Sequence, residues 1–489
     1  MDFNKLIETK AHVYFIGIKG TGMCAFAELL ADRGINVSGS DTGEVFYTDE
    51  ILKELNISYH ESFDSSHIPR DAALVIYSAA YKAETNVELA QAIRLGLPLL
   101  KYPEALGLYS AALDSTGIAG VHGKTTTTAL AGTLIKSEGL PAQVLAGSAV
   151  DAFNGRSTFS LGYTYFIAET CEYRKHFLSF HPKRIILTSI ESDHQDFYPD
   201  YNSIRDAFLE YIRLLPVGGE LIFCADDKGT CEAAEIIKKE RPDLRFTPYG
   251  FETGGDYKIE SYTVENGRSI FKLAGIPGLF KLRIPGKHNV LNASAALALL
   301  FSLVRQEHKS IGESALKSVA LSAAEALEAF SGSKRRSEIL GEAGGVLFMD
   351  DYGHHPTAIR STLAGLKQFY PARRLVVSFM PHTYTRTAAL FDEFALAFQD
   401  AGMLIMHKIY PSARESYSGS VSGETLFEKT KQYHNCVFYS DEALDAVDFL
   451  KNNLKAGDIF LTMGAGDNWR LGKTLYAEFE KAALKKGET

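Results

Sequence analysis

The chain has few cysteines and no close pair of them. Its five, Cys24, Cys171, Cys224, Cys231 and Cys436, are scattered, odd in number and without a C-x-x-C spacing. That excludes a zinc ribbon, a thioredoxin-like redox motif and a disulfide framework, and it suits a reducing compartment. Positive charge is also short: 51 Lys and Arg against 60 Asp and Glu leave a net charge of -9. A nucleic-acid surface is therefore not expected as the main function, although local basic pockets for phosphates are compatible with that balance. No apolar run reaches about 18 residues, so no membrane span is expected. The opening "MDFNKLIETKAHVYFIG" lacks the basic and apolar regions of a signal peptide, and a cytoplasmic location is expected. Low-complexity segments and short-period repeats are absent as well.

What is present is a soluble globular composition, 46% hydrophobic and 23% charged over 489 residues. That length exceeds one ordinary core and predicts about three domains. From residue 11 to 108, the apolar runs "HVYFIGI", "INVSGSD", "ALVIYSAA" and "LPLLKYPE" alternate with amphipathic stretches. This is the rhythm of a parallel sheet with crossover helices. A second glycine loop, "STGIAGVHGKTTTTALAG", opens a new unit whose strands run through "YTYFIAET", "KRIILTSIESDH" and "GELIFCADD". Between about 245 and 285, "RFTPYGF", "YKIESYTV" and "RSIFKLA" predict an antiparallel insert, and "GKHNVLNASAALALLFSLV" predicts a long buried helix. "FSGSKRRSEILGEAGG" reads as a boundary. Beyond it "GVLFMDDYGHHP", "RLVVSFMPH", "GMLIMHKIYP", "CVFYSD" and "GDIFLTMGAGD" give a third α/β domain. The expected domains are 1–108, 109–331 and 332–489.

Two glycine loops carry the first chemical signals. In "YFIGIKGTGMCAFAELL", Gly20, Gly22 and Ala25 satisfy G-x-G-x-x-G/A, and Asp41 lies about 20 residues on, at the end of the next strand. Backbone N–H groups at a helix N-terminus suit a pyrophosphate there, and the spacing predicts a Rossmann-like domain. The ligand's identity stays open here, since the motif reads a diphosphate and a ribose and little else, and an NAD-dependent oxidoreductase stays among the readings. In "AGVHGKTTTTAL", backbone groups around Gly120, His122 and Gly123 can wrap a nucleotide's phosphates, with Lys124 on the outer ones. Thr125 can ligate magnesium, with Thr126 following in the same turn. The spacing is not G-x-x-x-x-G-K, since Ile118 stands where that motif needs glycine. Glu169 in "AET" and His194 in "IESDHQD" each follow a predicted strand, so both are expected at the carboxyl ends beside this loop, where they would join Thr125 around the metal.

The blocks "GIKGTGM", "AGVHGKTTTT", "AET", "IESDHQDFY", "GKHNVLNASAAL", "DDYGHHPT", "PHTYTRT" and "MGAGDNWRLG" occur in the order in which the Mur ligases carry them. From about residue 12 to 475 the chain resembles that family, most closely its alanine-adding branch. The resemblance implies a P-loop ATPase-like central domain and an ATP-dependent amide ligase of peptidoglycan precursor synthesis. Such an enzyme joins L-alanine to the lactyl carboxylate of UDP-N-acetylmuramate through an acyl phosphate, and releases ADP and phosphate. By resemblance, Lys124 holds the outer phosphates of ATP, Thr125 and Glu169 the first Mg2+, and His194 with Glu169 a second. His288, Asn289 and Asn292 face adenine, Arg336 phosphate and Asp351 ribose. Gly17, Gly20, Gly22, Ser40, Asp41 and Ser78 hold the UDP end, and His354, His382 and Arg386 the amino-acid end. Two segments depart from the alanine-adding pattern: "ETCEYRKHF" replaces "EADESD", and Thr383 stands where arginine is usual. Both bear on the acceptor and keep among the readings a sister ligase that adds glycine or serine or recycles a murein peptide. "HQDFYPDYNSIRDAFLEYIRLLP" has no lysine, unlike the sister ligases that use a modified one there. The expected partners are the two small substrates alone, with no nucleic acid or membrane, on a monomer or homodimer whose domains close on binding.

Overall fold

The computed structural model describes residues 3–308, 312–411, 415 and 419–487. It divides into two compact units, the first comprising 1–190, 205–258 and 295–323, the second 191–204, 259–294 and 324–489.

The first unit contains two sheets. One has five parallel strands in the order Ser58–His60, Asn36–Ser40, His12–Ile16, Leu74–Tyr77, Leu99–Lys101. Its central strand buries Val13, Tyr14, Phe15 and Ile16, which is why it reads as an unbroken apolar run. The strand order reverses around His12–Ile16, so the loops that follow it and Leu74–Tyr77 part there and leave a crevice. The other sheet has seven strands in the order Arg245–Tyr249, Glu220–Cys224, Arg184–Leu187, Asp114–Ala119, Tyr165–Glu169, Ala142–Val150, Arg156–Ser160. All pairs are parallel except the last. Asp114–Ala119 is its reversal point, flanked by Arg184–Leu187 and Tyr165–Glu169. "RFTPYGF" therefore belongs to this sheet and not to an antiparallel insert. The amphipathic helix Lys228–Glu240 carries the chain back across the sheet, so the next strand must enter parallel.

The second unit holds a three-stranded antiparallel sheet, Ile259–Glu265, Arg268–Leu273 and Phe280–Leu282. It also holds six strands in the order Glu338–Ala343, Val346–Asp351, Asp458–Met463, Arg374–Phe379, Met403–Met406, Val437–Tyr439. Only the first strand of the six is antiparallel. Part of the expected boundary is thus a hairpin, turned by Gly344 and Gly345 at φ 59° and 77°. The helix Lys287–Glu307 is long and apolar enough to cross a membrane, although its sequence shows no wholly apolar run of that length. Of its most apolar window 78% is buried within the protein, as in a core helix.

Candidate active site

The second glycine loop links strand Asp114–Ala119 to helix Lys124–Ser137. Gly123, at φ 81°, caps that helix, and Gly120 sits at φ 139°, where a Cβ would come within 2.1 Å of Thr188 Oγ1. The neighbouring strand's end clamps the loop: Val121 N–H donates to Ser189 O at 3.0 Å, His122 N–H to Ser189 Oγ at 2.9 Å, and Thr188 Oγ1 to Ala119 O at 3.1 Å. Lys124 pairs with Glu172 at 2.8 Å and donates to Gly120 O. Burial works against the lysine's charge, but Glu172 and Glu169 outweigh it and hold the pKa above the usual lysine value. Thr125 Oγ1 donates to Glu169 Oε2 at 2.8 Å. Room for that carboxylate comes from Gly147, whose added Cβ would lie 2.2 Å from Oε2. A hydroxyl and a carboxylate meeting at the first helical turn are hard oxygen donors, which fit Mg2+.

The first glycine loop makes its turn at Gly17, at φ 89°, and not at Gly20, which is the N-cap of helix Thr21–Asp32 at φ -57°. The G-x-G-x-x-A match that begins at Gly20 thus starts three residues past the bend. Gly17 and Ile18 N–H both donate to Ser40 O, at 2.8 and 3.1 Å, and Lys19 N–H donates to Asp41 Oδ2 at 2.7 Å. Ser78 N–H donates to Ile16 O at 3.1 Å, so Ser78 flanks Gly17 at the crevice. Gly22 lies against the Tyr102 ring. The loop's lysine turns inward: Lys19 is 1% exposed, 2.9 Å from Asp49, and donates to Glu44 O at 3.0 Å.

The second unit gathers His194, His354, His382 and Arg386 around Asp193, a residue the sequence reading passed over. Asp193 Oδ1 accepts from Arg386 Nε at 2.8 Å and from His194 N–H at 2.7 Å, and His194 sits in the left-handed region at φ 55°. Burial pushes the Asp193 carboxyl up, but Arg386 overrides it and holds the group well below the usual carboxylate range. Arg386 Nη1 donates to His382 O at 3.1 Å, and His354 Nδ1 lies 2.9 Å from Tyr352 O. Burial, then the Arg386 charge, keeps both imidazoles neutral, His382 at about 4 and His354 well below its ordinary value. Thr383 caps helix Tyr384–Ala389 through Arg386 N–H.

In the same unit, Asn289 Nδ2 donates to Pro285 O at 2.7 Å and Asn292 Nδ2 to Asn289 Oδ1 at 3.2 Å. The two amides share a helix face, as their spacing predicts. His288 packs at Gly286, whose missing Cβ would lie 2.5 Å from the ring. Asp351 accepts from Ser337 and Gly353 N–H, each at 2.7 Å, and Arg336 lies 5.0 Å over the Tyr352 ring.

Three family descriptions match in succession: "Mur ligase family, catalytic domain" over residues 12–113, "Mur ligase middle domain" over 118–300, and "Mur ligase, glutamate ligase domain" over 335–466. The UDP-N-acetylmuramate–L-alanine ligase of Treponema pallidum is 52% identical over 469 residues, 96% of this chain and 97% of that one. The chain belongs to the Mur ligase family. The UDP-N-acetylmuramate–L-alanine ligase of Borrelia garinii is 40% identical, with 96% of this chain and 99% of that one covered. Among solved structures, the UDP-N-acetylmuramate-alanine ligase of Thermotoga maritima shares the fold at a TM-score of 0.75 and 23% identity, covering 96% of this chain and 99% of that one. Within this Mur ligase, sequence reasoning missed Glu172, Thr188, Ser189, Gly147 and Asp193. Glu172 and Asp193 stood inside motifs already singled out, "ETCEYRKHF" and "IESDHQD", and a buried lysine and arginine each require such a counter-charge.

Proposed function

We propose that the chain is an ATP-dependent ligase that joins L-alanine to the lactyl carboxylate of UDP-N-acetylmuramate. The observation that carries this reading is end-to-end identity of 52% with a ligase of that name, and the local chemistry agrees. The reaction transfers the γ-phosphoryl of ATP to a carboxylate oxygen and releases ADP. The alanine amine then attacks the acyl carbon, the C–N bond forms, phosphate leaves and the amine gives up a proton. Positioning and charge neutralisation dominate such a transfer.

In this reading residues 1–108 bind the nucleotide sugar, 109–331 ATP, and 332–489 the amino acid. Gly17, Gly20, Gly22, Ser40, Asp41 and Ser78 cradle the UDP end. Lys124 exchanges Glu172 for the outer phosphates of ATP, a swap of one anion for another at an already charged ammonium. Gly120, His122, Gly123 and Thr126 offer backbone N–H groups, His288, Asn289 and Asn292 polar atoms to adenine, Arg336 a cation to phosphate and Asp351 an acceptor to ribose. Thr125 and Glu169 would hold one Mg2+, and His194 with Glu169 a second. Bound there, the metal screens charge on the phosphates. Arg386, with His382 and His354, serves the amino acid's carboxylate, Arg386 as the cation and the neutral imidazoles as hydrogen-bonding groups. A cytoplasmic site of action suits these substrates.

Thr383, spent on capping its helix, favours a second reading in which glycine or serine is also accepted. Phosphate release by the purified protein with Mg-ATP, UDP-N-acetylmuramate and each amino acid singly tests both. No stimulation by any amino acid sinks the ligase reading. Glycine or serine outpacing alanine removes only the specificity.

A further inference from the structure

The Arg386 guanidinium is committed on two of its three nitrogens. Nε is held by Asp193 and Nη1 by the His382 carbonyl, while among the described residues Nη2 donates to no protein acceptor. Both side chains of the ion pair are 5% exposed. An arginine this buried needs a counter-ion, and the choice of nitrogen matters. A carboxylate on the outer Nη1–Nη2 edge would occupy the fork that recognises carboxylates. Engagement at Nε instead fixes the plane of the guanidinium and leaves Nη2 as its one uncommitted donor. The same oxygen of Asp193 receives the His194 N–H across a left-handed backbone, a conformation that non-glycine residues adopt rarely and only when held. One carboxylate oxygen thus locks both the arginine plane and the loop that carries it.

We propose that Asp193 is a positioning residue for the amino-acid subsite: it presents Arg386 Nη2 to the carboxylate of the incoming amino acid. The inference rests on the alanine-ligase reading above. Without Asp193 the guanidinium keeps its charge and loses its fixed plane, so discrimination falls before chemistry does. A pair that only stabilises the fold makes a different forecast, a lower melting temperature with unchanged selectivity.

L-alaninamide separates the two, because it keeps the nucleophilic amine and lacks the carboxylate. In phosphate-release assays, Asp193→Asn is expected to raise the KM for L-alanine at least tenfold. It should cut the L-alanine over L-alaninamide ratio of kcat/KM by a similar factor, with KM for UDP-N-acetylmuramate within twofold of wild type. Asp193→Glu should restore part of the ratio. An unchanged ratio in Asp193→Asn overturns the proposal, as does a parallel rise in the KM for UDP-N-acetylmuramate. If Asp193→Asn does not fold by thermal melting, Asp193→Ser is measured in its place, and an unchanged ratio there overturns it equally. Absence of alanine-dependent phosphate release in the wild type is a different failure, that of the ligase reading, whatever the variants do.

Discussion

The two glycine loops of the first unit share a plan, strand, turn, helix, and differ in what they do with their lysine. In the loop from Gly17 to Gly22, Lys19 is turned into the protein and neutralised by Asp49, with Glu61 3.5 Å away. In the loop from Gly120 to Gly123, Lys124 opens the helix and leans on Glu172. The anchoring differs in the same sense. Ser40 O and Asp41 hold the first loop from one adjoining strand end, with Thr48 Oγ1 donating to Lys19 O, whereas Thr188 and Ser189, past the end of one strand, and Glu172, in the segment after Glu169, hold the second. The lesson is that G-x-G and G-K patterns specify a backbone shape for phosphates. The direction of the lysine decides whether the site adds charge to that shape. A loop without an outward lysine suits a diphosphate that is only held; one with it suits a phosphoryl group that is transferred.

The comparison breaks most easily at Lys124. Lys124→Ala is expected to lower alanine-dependent phosphate release by about a thousandfold or more, since it removes a fixed cation assigned to the transferred group. Full turnover in that variant would end the assignment of roles. Next come the glycines. Gly120→Ala meets a left-handed φ and backbone at Ser189 N, 2.8 Å from the added Cβ, besides Thr188 Oγ1. It should cost about a hundredfold in kcat/KM for ATP, about 2.7 kcal/mol. Gly17→Ala meets the Tyr81 ring at 2.7 Å, at φ 89°; the ring can swing aside, so about a tenfold rise in KM for UDP-N-acetylmuramate is expected. Each variant should spare the other ligand. Equal rises in both KM values from either one would show that the loops do not act separately.

Much of this was legible in the chain itself, for a physical reason. Parallel strands buried on both faces leave continuous apolar runs, and "HVYFIGI" or "KRIILTSI" can hardly be read otherwise. Glycine at an obligatory turn is equally visible. What escaped was whatever comes from afar or from an edge. Arg386 and Asp193 are 193 positions apart in sequence, and no spacing rule joins them. Arg245–Tyr249 is mostly half-buried at the sheet edge, so it lacks the unbroken apolar run of the interior strands and reads with the β-rich segments that follow it. Gly17 entered the reading through the family resemblance and not through the G-x-G-x-x-A count from Gly20, because the motif is counted by identity while the turn, at Gly17, is set by where Ile16 leaves the sheet.

The smallest effect sharpens the comparison most. If Lys19 is only a brace, Lys19→Met should leave KM for ATP unchanged, raise KM for UDP-N-acetylmuramate no more than a few-fold, and destabilise the protein by about 1–2 kcal/mol in denaturant titration. The lost stability should itself depend on pH. Burial disfavours the ammonium, but Asp49 and Glu61 more than compensate, and the folded-state pKa lies above the ordinary value of 10.5. A lysine raised in this way stabilises the fold fully below its unfolded pKa, and that contribution fades as pH climbs through the folded one. Wild type and Lys19→Met should therefore differ by a constant amount up to about pH 10 and converge above it. A gap that instead closes near neutrality would mean that it follows a group other than the Lys19 ammonium or the Asp49 carboxyl, which is held below the ordinary carboxylate range, and that the inward lysine is a passenger in a loop built without it.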